Sequence, residues 1–199
     1  MKTKLFYFCA FLFMLSFGSC ETEDVAKNSE NSNKAASSET TNPDILNNFS
    51  ACVTVDLIAG QQYDSGEVSV YFDVDNVYVE YRANTNWLIK KTHLYVGAFQ
   101  LVPTNNSGSP IPGQFPISTN FPNGTSQAVY TVSKADLPEC FTITAHAEVV
   151  RLQNGSVVQT ETAWGEGVRF TNKNWAMYFS VCQSDCFDYE DYYFGNYNN

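Results

Sequence analysis

The sequence is poor in basic residues and in histidine, and it lacks an apolar run long enough to span a membrane as a helix. Eleven Lys and Arg stand against 21 Asp and Glu, so the formal net charge is −10. A field of that sign repels phosphate backbones, which argues against nucleic acid as a partner. Esterase-type Gly-x-Ser-x-Gly, His-Glu-x-x-His, phosphate-loop and dinucleotide-binding motifs are also missing. We therefore predict a protein that is not an enzyme and carries no cofactor.

The N-terminus has the organisation of an export leader. Lys2 and Lys4 form a basic start, and residues 5–17 form an apolar segment too short for a bilayer-spanning helix. Gly18 and Ser19 then lead into Cys20. Loss of Lys2 and Lys4 with the leader makes the mature chain more acidic by two charges.

The segment from Phe17 to Cys20 resembles the lipobox of bacterial lipoproteins, with Phe17 at a position where Leu is common. The acidic run after it, residues 21–24, is similar to the export signal of surface lipoproteins in Bacteroidota. This resemblance implies that residues 1–19 are a signal peptide and that Cys20 is lipidated. It also implies an outer-membrane location, with the protein held by lipid and exposed at the cell surface.

Composition divides the mature chain into three parts. Residues 20–48 are polar and should form a flexible tether, because they cannot bury enough apolar surface to offset chain entropy. Residues 49–186 are long enough for one folded domain. Residues 187–199 form an acidic, Tyr-rich tail that we expect to be disordered or to bind a partner.

Apolar residues in the domain recur with a period of two, which is typical of β-strands. Residues 68–72 and 77–81 alternate on either side of the turn at 73–76, a hairpin pattern. The longest strand places residues 141, 143, 145, 147 and 149 on one face, and Asn154-Gly155 predicts a tight turn into the strand that follows. Residues 103–125 resemble a long loop. About eight such strands predict an all-β fold, an antiparallel, jelly-roll-like β-sandwich.

Four cysteines remain after the leader and Cys20 are accounted for: Cys52, Cys140, Cys182 and Cys186. An even number in an exported chain predicts two disulfides, for which three pairings are possible. We favour Cys140 with Cys182, at the start and end of two strands, and Cys52 with Cys186 as a clasp across the domain. The spacing of Cys182 and Cys186 is a weak match to a metal site because no second close pair completes it.

His93 and His146 are the two histidines, and both lie on the polar side of strand patterns. Glu148 shares the face of His146, about 7 Å away by strand geometry. If the two strands are neighbours, these three residues are candidate metal ligands. The ordinary interpretation, two hydrogen-bonded histidines on a polar sheet face, is the one we favour, so no metal is expected.

Glu161, Trp164 and Glu166 form the second candidate site. Glycines flank Glu166, which suggests a constrained loop beside the indole of Trp164. An indole next to carboxylates can bind sugar by stacking and hydrogen bonding, and Trp87 would contribute if it is exposed. The interpretation we favour is that the tryptophans are core or strand-end packing residues.

Residues 92–97, 112–116, 145–148 and 162–167 resemble an extracellular module of uncharacterised Bacteroidota surface proteins. The resemblance implies no activity. We favour a non-catalytic surface module that binds glycan or protein. The alternative is an accessory subunit of an outer-membrane protein assembly that docks through the Tyr-rich tail, and a hydrolase is the more distant alternative.

Replacement of Cys20 by Ser tests the anchor. Because the thiol is the acylation point, Cys20→Ser should abolish incorporation of labelled palmitate and move the protein from the detergent phase to the aqueous phase on Triton X-114 partition. Cys9→Ser, inside the leader, should leave both properties unchanged. Label retained in Cys20→Ser would contradict the lipoprotein assignment.

Overall fold

The computed structural model describes residues 40–186. The predictions for the leader, for Cys20, for most of the tether and for the tail at 187–199 lie outside these residues.

Eleven antiparallel strands make up most of the described chain. They are β1 (Thr40–Thr41), β2 (Val53–Ala59), β3 (Tyr63–Phe72), β4 (Asn76–Ala83), β5 (Trp87–Gly97), β6 (Ile117–Thr125), β7 (Gln127–Ser133), β8 (Cys140–Gln153), β9 (Ser156–Gly165), β10 (Val168–Arg169) and β11 (Met177–Cys182). Short 3₁₀ turns cover Pro43–Asn48, Phe99–Leu101, Pro112–Gln114, Lys134–Asp136 and Gln183–Cys186. Within residues 40–186, no helix has the length and apolar content needed to cross a bilayer. The predicted all-β class is confirmed.

The strands form one nearly barrel-shaped sheet in the order β6–β5–β8–β9–β2–β3–β4–β7–β1. β8 pairs with three other strands, one along one edge and two along the other. β5 pairs along one edge, while the other edge pairs first with β11 and then with β9. β10 pairs with the outer side of β11. The chain thus leaves the sheet after β9 and returns as β11 on the same edge of β8.

The period-two pattern places one face of each strand in the interior. On β8, Phe141, Ile143 and Val149 are buried among the largest cluster of core residues, together with Ala145 and Ala147. Tyr81 on β4 also points into this interior, and its hydroxyl donates a hydrogen bond to the carbonyl of His93 on β5, 3.2 Å away. An interior tyrosine therefore reaches the opposite backbone and has its polar atom satisfied.

β5 keeps its inward face only because its register shifts between Ile89 and Lys91. Trp87 and Ile89 point inward before the shift, and Leu94 and Val96 point inward after it. Odd and even positions cannot share a face of a regular strand, so the extra residue of a β-bulge is required. The bulge turns His93 and Tyr95 to the outer face.

Two boundaries differ from the sequence prediction. The predicted loop at 103–125 contains strand β6, which is an edge strand whose one fully buried apolar residue is Ile117. Too few of its side chains are buried to produce an alternating pattern. The predicted tether also overlaps a packed segment, because Leu46 is buried against the outer face of the sheet.

Both predicted turns and both predicted disulfides are confirmed. Asp73 caps the first turn by accepting hydrogen bonds from the backbone amides of Asp75 and Asn76. The second turn joins β8 to β9 through Asn154 and Gly155, both at positive φ, as a tight hairpin requires. Cys140 pairs directly with Cys182 across β8 and β11, and Cys52 is bonded to Cys186.

Removal of the Cys52–Cys186 clasp should cost stability. The bond joins residues 134 positions apart, so its loss frees a long loop in the unfolded chain. We expect the double variant Cys52→Ser/Cys186→Ser to lose about 2–5 kcal/mol of unfolding free energy in urea denaturation. Reduction of both bonds in the wild-type protein should cost at least as much. An unchanged denaturation midpoint would contradict this role.

Candidate functional site

A second layer of side chains covers the outer face of β5, β8 and β9. Its buried members are Tyr95, Val102, Phe115, Trp164 and Ala176. Two connections lie over it, residues 98–116 after β5 and residues 166–176 after β9. The amide of Asn174 in the second connection donates to the hydroxyl of Ser109 in the first, at 2.5 Å. The two connections therefore form one cover over the sheet.

His93 and His146 lie beneath this cover as direct partners across β5 and β8. Their ring centroids are 5.4 Å apart, and each residue is 7 % exposed. Trp164 on β9 is the cross-strand partner of His146, with ring centroids 4.6 Å apart. Sequence analysis selected all three residues separately, and the sheet brings them into one row.

The hydrogen-bonding capacity of His93 and His146 is only partly used. Among the described residues, neither Nδ1 atom has a hydrogen-bond partner, and the buried Thr144 hydroxyl on the same face of β8 also has none. His93 does have a hydrogen bond to the Pro112 carbonyl, so the unpartnered positions are the two Nδ1 atoms. Burial, with repulsion from His93 and Lys91, lowers the pKa of His146 to about 3. Burial and Lys91 also lower the pKa of His93, against opposing effects of Glu148 and the Pro112 carbonyl.

The tryptophans do not form an exposed row. Trp164 is 6 % exposed, and its ring packs at 6.4 Å from that of Trp175. Trp87 is 7 % exposed and lies in the interior core beside Tyr63, on the other face of the sheet. The bulge in β5 explains this separation, since it puts Trp87 and His93 on opposite faces. The sugar-stacking surface, which required an exposed Trp87, is therefore not assembled, and both tryptophans are packing residues.

The predicted carboxylates are also dispersed. Glu148 is exposed and pairs across the sheet with Lys91 and Thr162. Glu161 lies on the face opposite Trp164, where Gln159 donates to its carboxylate at 3.0 Å. Glu166 is exposed, and its backbone amide donates to the Asp56 carbonyl. In the part of the chain spanning 40–186, no three His, Cys, Asp or Glu side chains are grouped closely enough to hold a metal.

An aromatic patch next to this cover is formed by Phe99, which is exposed, and by Phe170 and Tyr178, which are half-buried. Phe99 stacks nearly parallel to Phe170 at 5.9 Å and lies 4.8 Å from Tyr178, while Phe170 and Tyr178 are 4.9 Å apart. Phe99 is 44 % exposed. Leu101 and Val168, which flank the patch along the chain, are 55 % and 59 % exposed. Large exposed apolar patches often mark interaction sites, so the patch is a candidate binding surface.

A cleft of about 310 Å³ adjoins the patch. Phe99 forms one wall, and Gln100, Thr142 and Ser180 supply polar side chains. Of the eight described residues that line the cleft, none is Asp or Glu. The patch and the cleft together offer aromatic surface beside neutral hydrogen-bonding groups.

Sequence reasoning missed the patch. Phe99 follows Gly97 at the point where the strand alternation ends, and Phe170 lies in a glycine-containing connection. Neither phenylalanine belongs to an alternating strand pattern, so the sequence does not indicate whether its side chain is exposed. Tyr178 belongs to β11, and the apolar alternation of this strand is clear in the sequence. The alternation does not show which side chains of other segments lie near Tyr178. Three aromatic residues from three segments become neighbours only through the sheet pairing.

Glu80, a buried acidic residue on β4, has hydrogen-bond partners that account for its burial. Glu80 on β4 is completely buried, and it accepts hydrogen bonds from Tyr71 at 2.7 Å, from Arg82 at 2.6 Å and from Gln127. A buried carboxylate with three donors is a satisfied network. We therefore assign Glu80 to stability.

The described residues define an all-β protein with two disulfides, a buried histidine pair and a partly exposed aromatic patch. Comparison of the chain with known family models, curated proteins and solved structures found no match. The function must therefore be argued from this geometry.

The lowered pKa of His146 makes stability depend on pH in a defined window. The unfolded chain takes up a proton near pH 6.5, whereas the folded chain resists protonation down to about 3, so stability falls as pH drops from about 6.5 toward 3. We expect His146→Gln to reduce the loss of unfolding free energy between pH 7 and pH 5 by about 2 kcal/mol.

The measurement is urea denaturation of both proteins at pH 7 and pH 5. The carboxylates are the same in both, so their contribution to the change in unfolding free energy cancels in the difference. If His146→Gln proves too unstable to measure, the ring Hε1 resonance of the wild-type protein provides the second readout. Its shift should stay that of a neutral imidazole until the protein unfolds. Protonation of His146 near pH 6.5 in the folded state would contradict the assignment.

Proposed function

We propose that this protein is a non-catalytic binding module, lipid-anchored at the cell surface, that captures a protein ligand through the aromatic patch. The observation that carries the proposal is the mutual contact of Phe99, Phe170 and Tyr178 beside exposed Leu101. Lipidation at Cys20 and an outer-membrane location, as the leader suggests, would hold this surface at the cell exterior.

The physical support comes from how protein interfaces gain affinity. Most of the binding energy in such interfaces comes from a few rigid, largely apolar side chains near the centre. The rings of the patch meet this requirement because they hold one another in place before a ligand arrives, so less side-chain entropy is lost on binding. The neighbouring cleft would accept one projecting side chain of the partner.

The composition of the patch favours protein over glycan. Sugar sites combine a stacking ring with carboxylates or amides that bind hydroxyl groups. Here the cleft has no carboxylate, and the residues flanking the rings include aliphatic Leu101 and Val168. A surface of this kind is better matched to the apolar side chains of a protein.

We also propose that the sheet corresponds to the flattened, jelly-roll-like sandwich expected from the alternating pattern. The continuous pairing from β6 to β7 is compatible with that shape as well as with a barrel.

Substitution in the patch tests the binding function. The protein, purified with its disulfides intact, is immobilised and exposed to detergent-solubilised outer-membrane proteins, and in parallel it is screened on a glycan array. We expect a stoichiometric protein partner whose affinity falls about 30-fold or more in Phe99→Ser or Phe170→Ser, since central aromatic anchors typically contribute about 2 kcal/mol or more.

Val158→Ser is the matched control, because Val158 is a similarly exposed apolar residue (54 %) on β9 outside the patch. Thermal unfolding of each variant confirms that the fold is kept. Glycan binding that depends on the patch, without a protein partner, would overturn the choice of ligand. Protein capture that is equal in patch and control variants would overturn the choice of surface.

A further inference from the structure

The histidine pair takes no part in the proposed binding surface, but the segments above it carry two of the three rings of the patch. His93 and His146 are buried under the cover, which consists of the connections after β5 and β9. Phe99 lies at the start of the first connection, and Phe170 lies in the second. A change in the pair that moves the cover therefore also moves the patch.

The neutral form of the pair is the form that suits a closed cover. His93 has a hydrogen bond to the carbonyl of Pro112 in the first connection, so the neutral ring links the cover to the sheet. The Nδ1 atoms of both rings have no partner among the described residues. Protonation would turn an Nδ1 atom into the donor of a charged ring, and a buried charged donor needs an acceptor or water. A protonated ring would therefore require water to enter.

The neighbouring strands supply little to balance a positive charge. Lys91 on β5 acts on both rings and is itself positive, while Glu148 on β8 is exposed and acts on His93 alone. Tyr95 on β5 stays neutral, because burial raises its pKa to about 12. The two rings also face each other, with centroids 5.4 Å apart, so a charge on one opposes a charge on the other.

The other elements around the pair add no buried carboxylate. The side chain opposite His146 on β9 is that of Trp164, and the one opposite His93 on β6 is that of Ser118, neither of which is charged. The first connection, residues 98–116, contains no ionisable side chain. The charged residues of the second connection are all exposed: Glu166, Arg169 and Lys173. A charged pair would therefore be stable only in contact with water.

We propose that protonation of His93 and His146 opens the cover, separates Phe99 from Phe170 and so disassembles the aromatic patch in acid. This inference rests on the proposed function, because it makes the capture of a protein ligand reversible by pH. The sheet beneath keeps its interior core, and both disulfides remain, since none of their cysteines belongs to the cover. Opening is thus a local event.

The direction of the pH dependence follows from proton linkage. Above about pH 6.5 both rings are neutral whether the cover is open or closed, so the closed form keeps its full stability. Burial lowers the pKa of His146 to about 3 in the closed form, so below pH 6.5 the open form takes up the proton. The opening constant should rise about 25-fold between pH 7 and pH 5 from His146 alone. His93 adds to this rise, because burial lowers its pKa as well.

Amide hydrogen exchange tests the opening without a ligand, on protein purified with its disulfides intact. The amide of Ile111 donates to the Pro103 carbonyl, and that of Phe170 donates to the Ala176 carbonyl, so each reports on one connection. We expect the protection of both amides, corrected for the intrinsic pH dependence of exchange, to fall about 25-fold or more from pH 7 to pH 5. Amides of β3 and β4 should stay better protected at both pH values, because they exchange only when the sheet unfolds.

Two variants separate the histidines from other titrating groups. His93→Gln/His146→Gln keeps polar side chains that do not titrate, so protection of the cover should no longer change between pH 7 and pH 5. Thr144→Val is the matched control, because it removes another unpartnered buried polar atom of β8, leaves both imidazoles in place and should keep the wild-type pH dependence. If the double variant does not fold, the cross-relaxation between the rings of Phe99 and Tyr178 in the wild-type protein, 4.8 Å apart, should weaken at pH 5.

Three results would overturn the proposal. Unchanged protection of Ile111 and Phe170 at pH 5 would mean that the cover stays closed. Equal protection of cover and sheet amides at pH 5 would mean that acid unfolds the whole domain, and a double variant that keeps the pH dependence would assign it to other groups. None of these measurements uses a ligand, so they stand apart from a failure of the patch variants to lose protein capture. A captured protein that binds equally well at pH 7 and pH 5 while the cover opens would overturn the link to ligand release.

Discussion

The rest of the structure depends on the pairing of β8 along both of its edges. Its fourteen residues pair with β5 on one edge, and with β11 and then β9 on the other. A strand buried at the centre of a sheet fixes the register of every neighbour, because a slip of one residue would exchange its two faces. The interior face of β8 carries Ala145 and Ala147, while the outer face carries Thr144 and His146.

The change of partner along β8 creates the covered outer face and the aromatic patch at its edge. Since β9 ends beside His146 and β11 begins again beside Ile143, the chain between them leaves the sheet. The connection after β5 leaves at the same end, where Gly97 pairs with Thr142. Glycine is needed at Gly167 because a Cβ there would lie 2.1 Å from the Tyr178 carbonyl. The two connections therefore meet, cover the histidines and present the aromatic patch at their edge.

Three layers with different roles follow from this arrangement. The interior residues supply apolar burial, and the two disulfides constrain the unfolded chain. The outer buried layer around Trp164 holds the cover against the sheet and isolates the histidines from solvent. The ring of Phe99 is exposed at the edge of this layer, and Phe170 packs against the layer itself.

The sequence by itself determined the all-β class, the hairpin at 73–76, the turn at Asn154–Gly155 and the presence of two disulfides. It favoured the observed pairing but left all three pairings open. These features depend on the local alternation of apolar residues, on turn-forming residues and on an even number of cysteines. All three can be seen directly in the sequence. It also placed His93 and His146 on the faces opposite the interior core, but it did not show the buried apolar layer that covers them. It could not show β6, whose edge position leaves it with few buried residues, nor the bulge that turns Trp87 away from His93.

Only the tertiary structure decided which side chains share a surface. Phe99, Phe170 and Tyr178 come from three segments, and His93 meets His146 across 53 positions of sequence. Their contact depends on strand order and register, which are set by the joint packing of the whole sheet. A period of two specifies which face a residue takes, but it carries no information about which strand lies beside it.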